Sequence, residues 1–145
     1  MSNNIQNSIN HKFVEMLSDG TINLNSNPLD EIELIQRGLD INCVEKFRLE
    51  LRWVTKAIGT NTKAFERYIK EHKRLNVTLS ENIVELAHLA SVCIDYFESV
   101  ERWTTWLNTR SLQFSSEMPL TFVNTIAGRE LIKKTVDNLN HGYNA

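Results

Sequence analysis

Apolar residues recur every three to four positions along most of the chain, which is the spacing that places side chains on one face of an α-helix. The longest run of this kind covers residues 81–98 and is apolar on most of its circumference. A helix of that kind is typically buried, either inside a domain or between two copies of a protein. The pattern therefore predicts an all-α fold, with this helix in the core or in the interface of a homodimer.

Capping and turn residues divide the rest of the chain. Asn27-Pro28 and Gly38 predict the start and the end of one helix, and residues 77–81 predict an extended connector that ends in Ser80 as an N-cap. We therefore expect a helix-turn-helix region at 28–79, a central helix at 80–100 and a small helical region at 101–145.

The N-terminal segment, residues 1–27, contains seven Asn and four Ser, a composition that disfavours a packed core. We expect most of it to be loose. A short amphipathic helix that packs on the body or on a second copy is the alternative, because five apolar residues have helical spacing: Ile5, Ile9, Phe13, Met16 and Leu17.

Two short helices and a tight turn are predicted between residues 42 and 75. Ile58-Gly59-Thr60-Asn61 supplies the turn, and Asn61 can cap the second helix. This arrangement is a helix-turn-helix, in which the second helix reaches base edges and basic neighbours hold phosphates. The residues expected to contact DNA are Asn61, Thr62, Lys63, Glu66, Arg67, Lys70, Lys73 and Arg74.

Charge is concentrated in the same segment. Residues 42–75 carry nine Lys and Arg against four Glu, a balance of +5, so the remainder of a chain with net charge −2 carries −7. A local basic surface favours a polyanion partner, because electrostatic fields at a surface extend only about 8–10 Å in physiological salt. The alternative is an ordinary solvated helix face.

Several classes of protein are not indicated. The chain has no glycine-rich phosphate loop, Gly-x-Ser-x-Gly, His-Glu-x-x-His or Cys-x-x-Cys, so we expect no enzyme activity, cofactor or metal ion. Cys43 and Cys93 are isolated and no signal-peptide pattern begins the chain, which favours the cytoplasm. We expect residues 83–97 to be too short and too charged to span a membrane. Cys93 is expected to fill space, and His88 to be half-buried with a hydrogen-bond partner.

A series of short motifs follows Glu101. The first motif, Trp103, Trp106 and Leu107, lies at the end of a predicted helix. The second, Pro119-Leu120, begins the next segment after a loop. The third, Thr125-Ile126-Ala127-Gly128, begins a helix that ends at Gly142. In order and spacing these motifs resemble the toxin-binding domain of the Xre/MbcA/ParS antitoxin family, over roughly residues 38–145.

The resemblance implies an antitoxin of a type II toxin-antitoxin system. Such a protein neutralises a RES-domain toxin that consumes NAD, by covering the toxin's active site, and the helix-turn-helix would regulate the operon by binding operator DNA. The residues that would contact the toxin are Trp103, Leu107, Phe114, Pro119, Leu120, Thr125, Gly128, Arg129, Ile132, Val136, Leu139, His141, Gly142 and Tyr143.

Two alternatives to this interpretation stay open. The large aromatic side chains can equally be core residues, since the same residue types serve both purposes. The chain can also be a stand-alone helix-turn-helix regulator whose C-terminal helices form a dimer. Gly128, which lacks a side chain, is expected to let another backbone approach. If the C-terminal tail enters the toxin's nucleotide cleft, Tyr143 is the residue expected to fill it.

Overall fold

Eight α-helices make up most of the residues that this computed structural model describes, which are 12–23 and 25–142. Within these residues there is no β-strand, so the predicted all-α fold class is confirmed. The elements, in chain order, are α1 (Lys12–Leu17), α2 (Pro28–Arg37), α3 (Ile41–Glu50), α4 (Val54–Ala57), α5 (Thr62–Glu71), α6 (Val77–Phe97), α7 (Val100–Leu107), the 3-10 turns η1 (Leu112–Phe114) and η2 (Pro119–Phe122), and α8 (Ile126–Asn140).

The chain forms two compact units, and the boundary between them in the sequence lies between Ser91 and Val92. The division falls inside α6, whereas the sequence pattern treated residues 80–100 as one central segment. The first unit contains α1 to α5 and most of α6. The second contains the end of α6 followed by α7, η1, η2 and α8.

The ends of α2 are where the sequence pattern places them. The Asn27 side chain accepts hydrogen bonds from the backbone N–H groups of Leu29 and Asp30, and the Asp30 carboxylate accepts one from the N–H of Asn27. Gly38 ends the helix at φ 88°, a left-handed conformation that favours glycine. Its position also allows no side chain, because an added Cβ would collide with the carbonyl oxygen of Leu75.

The start of the described chain is packed. Phe13, Val14 and Leu17 of α1 are buried, and the Phe13 ring meets the Phe47 ring of α3 edge to face with centroids 5.9 Å apart. A loose segment is therefore wrong for residues 12–17, and the alternative of a short docked helix is confirmed there. Ile5 and Ile9 lie outside the described residues.

The start of α6 differs from the prediction. The helix begins at Val77, so the extended connector expected at residues 77–81 is wrong. Asn76 takes the capping role, with its Oδ1 accepting a hydrogen bond from the N–H of Leu79 at 2.8 Å. Ser80 is instead buried inside the first turns, where its hydroxyl accepts from the N–H of Leu39 and donates to the carbonyl of Leu75.

This earlier start makes α6 21 residues long, enough by length and apolar content to cross a membrane. The expectation that the stretch is too short is therefore wrong. Half of the apolar window is buried within the protein, including Ile83, Leu86 and Ala90. Burial of this kind is typical of a helix at the centre of a packed domain. One chain therefore covers much of the apolar surface that suggested a dimer, and the homodimer stays a prediction.

A row of four aromatic rings, one buried and three half-buried, runs through the second unit. Phe97, Trp106, Phe114 and Phe122 follow one another with successive centroid distances of 5.4, 5.9 and 5.8 Å. These separations lie in the range that aromatic pairs prefer. The rings join the end of α6 to α7, η1 and η2.

The helix α8 begins against the turn that precedes it. Thr125 caps α8, as predicted, by accepting a hydrogen bond from the N–H of Gly128 at 2.9 Å. A Cβ added at Gly128 would collide with the Phe122 carbonyl, lying 2.7 Å from its carbon atom. Glycine is thus required at this position by the chain's own backbone.

We expect Gly128→Ala to lower the free energy of unfolding by about 2–3 kcal/mol, because the added methyl group forces α8 away from η2. Urea titration followed by circular dichroism measures this change. The control is Glu130→Ala on the exposed side of the same helix, with an expected change within about 0.5 kcal/mol. Equal stability of Gly128→Ala and the wild type would contradict the close approach of the Phe122 carbonyl.

Candidate functional site

The helix α5 has well-defined ends, as the capping pattern predicts. Asn61 accepts a hydrogen bond from the N–H of Ala64 at 2.9 Å, and His72 ends the helix in the left-handed conformation. The turn before α5 contains Gly59 at φ 72°. The preceding helix, α4, has only four residues. The turn at Leu51–Trp53 separates it from α3. The segment is therefore a short helix, a turn and a longer helix.

The side chains of α5 are sorted onto two opposite faces. Phe65 is buried, and Tyr68 and Ile69 are half-buried on the same side. Lys63, Arg67 and Lys70 are exposed at the spacing i, i+4 and i+7, which places them in one row on the other side. We call these three residues the basic row.

All eight residues predicted to contact DNA are exposed. Three of them also have partners within the protein. Asn61 caps α5, and Lys73 lies 3.0 Å from a carboxylate oxygen of Glu71. Arg74 donates a hydrogen bond to the carbonyl of Gly38 at 3.0 Å. Within the described residues, no ion pair involves the basic row. The positive charge of the row is therefore not neutralised by a direct carboxylate contact in that part of the chain.

Part of the local positive charge is neutralised next to α5. On α3, the Arg48 guanidinium makes two hydrogen bonds to the Glu45 carboxylate, at 2.6 and 2.9 Å. This contact, reinforced by the charge of Glu66 on α5, raises the pKa of Arg48. The balance of +5 counted from the sequence thus includes an arginine that already has a carboxylate partner.

Most residues predicted to contact a toxin are not on the surface. Leu120 and Leu139 are half-buried, Thr125, His141 and Gly142 are exposed, and Tyr143 lies outside the described residues. The buried members of the set are Trp103, Leu107, Phe114, Pro119, Gly128, Arg129, Ile132 and Val136. These eight residues hold the fold and present no surface to a partner in this conformation.

Two of the buried residues have clear structural roles. Another backbone does approach Gly128, as expected of a residue without a side chain, and it is the chain's own, at the carbonyl of Phe122. Arg129 donates from Nη1 to the carbonyl of Val123 at 3.0 Å, which ties the first turn of α8 to the end of η2. The burial of Trp103 and Phe114 confirms the alternative that these aromatic side chains belong to the core, whereas Trp106 is half-buried.

The second unit exposes other apolar side chains that sequence analysis missed. These are Leu112, Ile126 and Leu131. Ile126 and Leu131 lie on α8, and Leu112 lies in the turn η1. Exposed turn residues follow no period, so no pattern in the sequence could identify them.

Other candidate residues of the sequence have ordinary roles. His88 lies with Nε2 2.8 Å from a Glu31 carboxylate oxygen, which confirms the expected polar partner, although the histidine is exposed. Cys93 is fully buried, as expected of an apolar filler, and desolvation raises the pKa of its thiol. Within residues 12–23 and 25–142, no group of three His, Cys, Asp or Glu side chains is placed to hold a metal ion.

Asn61 caps α5 and is also predicted to contact DNA, and two variants separate these roles. Asn61→Ala removes the cap of α5 and should lower the free energy of unfolding by about 1 kcal/mol. Asn61→Asp keeps an acceptor oxygen and should retain stability, while its negative charge opposes DNA. Thermal unfolding and a DNA titration of both variants provide the test, with exposed Asn42→Ala as the control. If Asn61→Ala proves as stable as the wild type, the Asn61 cap does not contribute to the free energy of unfolding.

The chain matches no protein-family model and no curated protein sequence at a significant level. An assignment of function therefore depends on the placement of charged and apolar side chains described above, together with the resemblance noted in the sequence.

Proposed function

We propose that this protein is the antitoxin of a type II toxin-antitoxin system, acting in the cytoplasm. It binds operator DNA through α5 and neutralises a RES-type, NAD-consuming toxin through its second unit. The observation that carries the proposal is the basic row on α5, exposed directly opposite the buried Phe65. The resemblance of the motifs in residues 101–145 to a toxin-binding domain supports the second activity.

The geometry of α5 suits DNA contact. Three cations at i, i+4 and i+7 extend over about 10 Å of helix, given a rise of 1.5 Å per residue. A helix presenting such a row can lie along a groove and contact neighbouring phosphates. Asn61 and Thr62 lie at the N-terminal end of α5, the end that reaches base edges in helix-turn-helix proteins.

Neutralisation of a toxin requires no chemistry from this chain. An antitoxin of this kind acts by covering an active site, which needs a stable surface of sufficient area, typically about 600–1,000 Å² on each partner. The packed rings of Phe97, Trp106, Phe114 and Phe122 and the capped helix α8 give the second unit the ordered structure that such a surface needs. The exposed residues, and not the buried ones, would make the contacts.

The burial of most of the predicted toxin-contact set removes these residues as direct support for a toxin interface and leaves a second candidate function open. In this alternative the chain is a transcriptional regulator without a toxin, and the second unit serves dimerisation. The two functions differ in partner, so they are separated by co-expressing the chain with the product of the neighbouring reading frame and testing whether the two proteins copurify.

We expect salt-sensitive binding to a fragment of the chain's own promoter. Each phosphate contact that is lost should flatten the slope of log K against log salt by about 0.9. Lys63→Ala/Arg67→Ala should therefore weaken binding and reduce the slope by about 1.8. Fluorescence anisotropy at several salt concentrations gives both quantities.

The matched control for that titration is Lys133→Ala/Lys134→Ala, which removes the same charge from exposed positions of α8 in the second unit. It should change the slope by less than half as much. An unchanged slope for the α5 variant, or an equal change in both, would exclude the basic row as the DNA site.

The two activities should be separable in cells. Because Lys63 and Arg67 lie in the first unit, Lys63→Ala/Arg67→Ala should still restore growth to cells that express the neighbouring toxin from an independent promoter. Growth curves with and without toxin induction measure this. Failure of the folded wild-type chain to restore growth would exclude the antitoxin function and favour the stand-alone regulator.

A further inference from the structure

One side of α2 is apolar and is not covered by the part of the protein that the structure describes. Leu29 is 66% exposed, Ile32 is 48% exposed, and Pro28 is exposed beside them. Residues three and four positions apart share a helix face, so Pro28, Ile32 and the half-buried Ile35 form a stripe with Leu29 at its edge. We call these four residues the α2 stripe. Single exposed apolar side chains are ordinary, whereas a contiguous group of them marks an interaction surface.

A groove lies beside the α2 stripe. It has a volume of about 330 Å³, and the buried Ile22 contributes to its lining together with Pro28 and Ile32. The other lining residues are polar or charged: Ser26, Asn27 and Glu31. The surface therefore has projecting aliphatic side chains and also a recess with an apolar lining that can receive one.

A row of charged residues borders the α2 stripe on the side of Leu29. Asp30, Glu33 and Arg37 follow one another at i, i+3 and i+7, so they lie along one side of the helix. Their charges, in chain order, are negative, negative and positive. In residues 12–23 and 25–142, neither Glu33 nor Arg37 belongs to an ion pair. The Arg37 guanidinium is therefore available to a carboxylate of another molecule.

The order of these charges indicates a second copy of the chain as the partner. Two α2 helices that pack antiparallel about a twofold axis bring the acidic start of each row to the basic end of the other. With the axis next to Glu33, Asp30 of each copy meets Arg37 of the other. The same register brings Ile32 of each copy to Ile35 of the other, beside the groove. One register thus pairs the charges and the apolar side chains, each of them twice.

A second copy also fits this surface better than a membrane does. Helices that lie on membranes carry basic residues on their polar face, whereas α2 has three acidic residues and one basic residue. A second copy supplies the complementary charges and the side chain for the groove at once, because both features recur on it by symmetry.

We infer that the first unit forms a homodimer through α2, with the two helices antiparallel and the two α2 stripes in contact. The expected dimer contact thereby moves from α6, much of whose apolar surface is covered by the chain itself, to a surface that is exposed. The inference is independent of the proposed antitoxin function, because it concerns only α2 and the groove beside it. Two helices of ten residues form a small interface, so the dissociation constant is expected in the micromolar range.

Sedimentation equilibrium of the full chain, from about 1 to 100 µM, measures the dimerisation. Ile32→Asp places a charge in the contact and should raise the dissociation constant about tenfold or more. The matched control is Leu49→Asp, which changes an exposed leucine of α3 and should alter the constant less than about twofold. Circular dichroism verifies that each variant is folded.

Two results of this experiment would overturn the inference. A wild-type chain that stays monomeric at the highest concentration leaves another part of the chain, or a different protein, as the occupant of the α2 stripe. Equal dimerisation of Ile32→Asp and the wild type places the dimer contact elsewhere on the protein.

A charge exchange tests the antiparallel register. Arg37→Glu and Asp30→Lys each bring like charges together in a homodimer, so each variant alone should dimerise about tenfold more weakly than the wild type. In an equimolar mixture, every such contact between the two variants joins opposite charges, so heterodimers should form with about the wild-type affinity. Native mass spectrometry distinguishes heterodimers from homodimers.

Thermal unfolding accompanies the charge exchange, because Asp30 also accepts a hydrogen bond from the N–H of Asn27 and its replacement can affect stability. A mixture of the two folded variants that stays monomeric contradicts the pairing of Asp30 with Arg37. Homodimers of either variant as stable as those of the wild type contradict it as well, and both results overturn the antiparallel contact.

Discussion

The first unit depends on a set of hydrogen bonds that joins residues 38–39 to residues 74–80. Leu75 donates to the carbonyl of Leu39, Leu39 donates to the buried hydroxyl of Ser80, and Arg74 donates to the carbonyl of Gly38. These bonds bring together the two ends of the segment that contains α3, α4 and α5. The buried hydroxyl is satisfied by two backbone partners, which is the condition for placing such a group in a core. Because the segment is held at both ends, the basic row is presented on a fixed helix.

Local chemistry explains which parts of the fold the sequence could predict. Asn27, Asn61 and Thr125 cap their helices through contacts within three residues, and Gly38 ends α2 by its own backbone conformation. The start of α6 was not predictable in this way. Asn76 and Ser80 are both good capping residues, and the choice between them depends on Leu39, 41 residues before Ser80 in the chain. A contact of that separation leaves no periodic signal.

The same distinction applies to the candidate sites. The basic row follows from helical spacing around the buried Phe65, so its exposure was predictable. The toxin-contact set was not, because Trp103 and Leu107 have the composition of an interface anchor as well as that of a core, and tertiary packing places them in the core. The exposure of Leu112 was not predictable either, because the residue lies in a short turn that has no helical period.

The two buried cysteines provide one natural reporter in each unit. Cys43 lies in the first unit, where it keeps 8% of its surface exposed and lines a surface pocket, and Cys93 lies fully buried in the second; opening of the surrounding structure makes either thiol more accessible. The rates at which a thiol reagent modifies the two cysteines therefore report the opening of the two units separately, in a chain that carries no substitution. Mild denaturant that speeds modification of one thiol before the other would show that the structure around that thiol opens first.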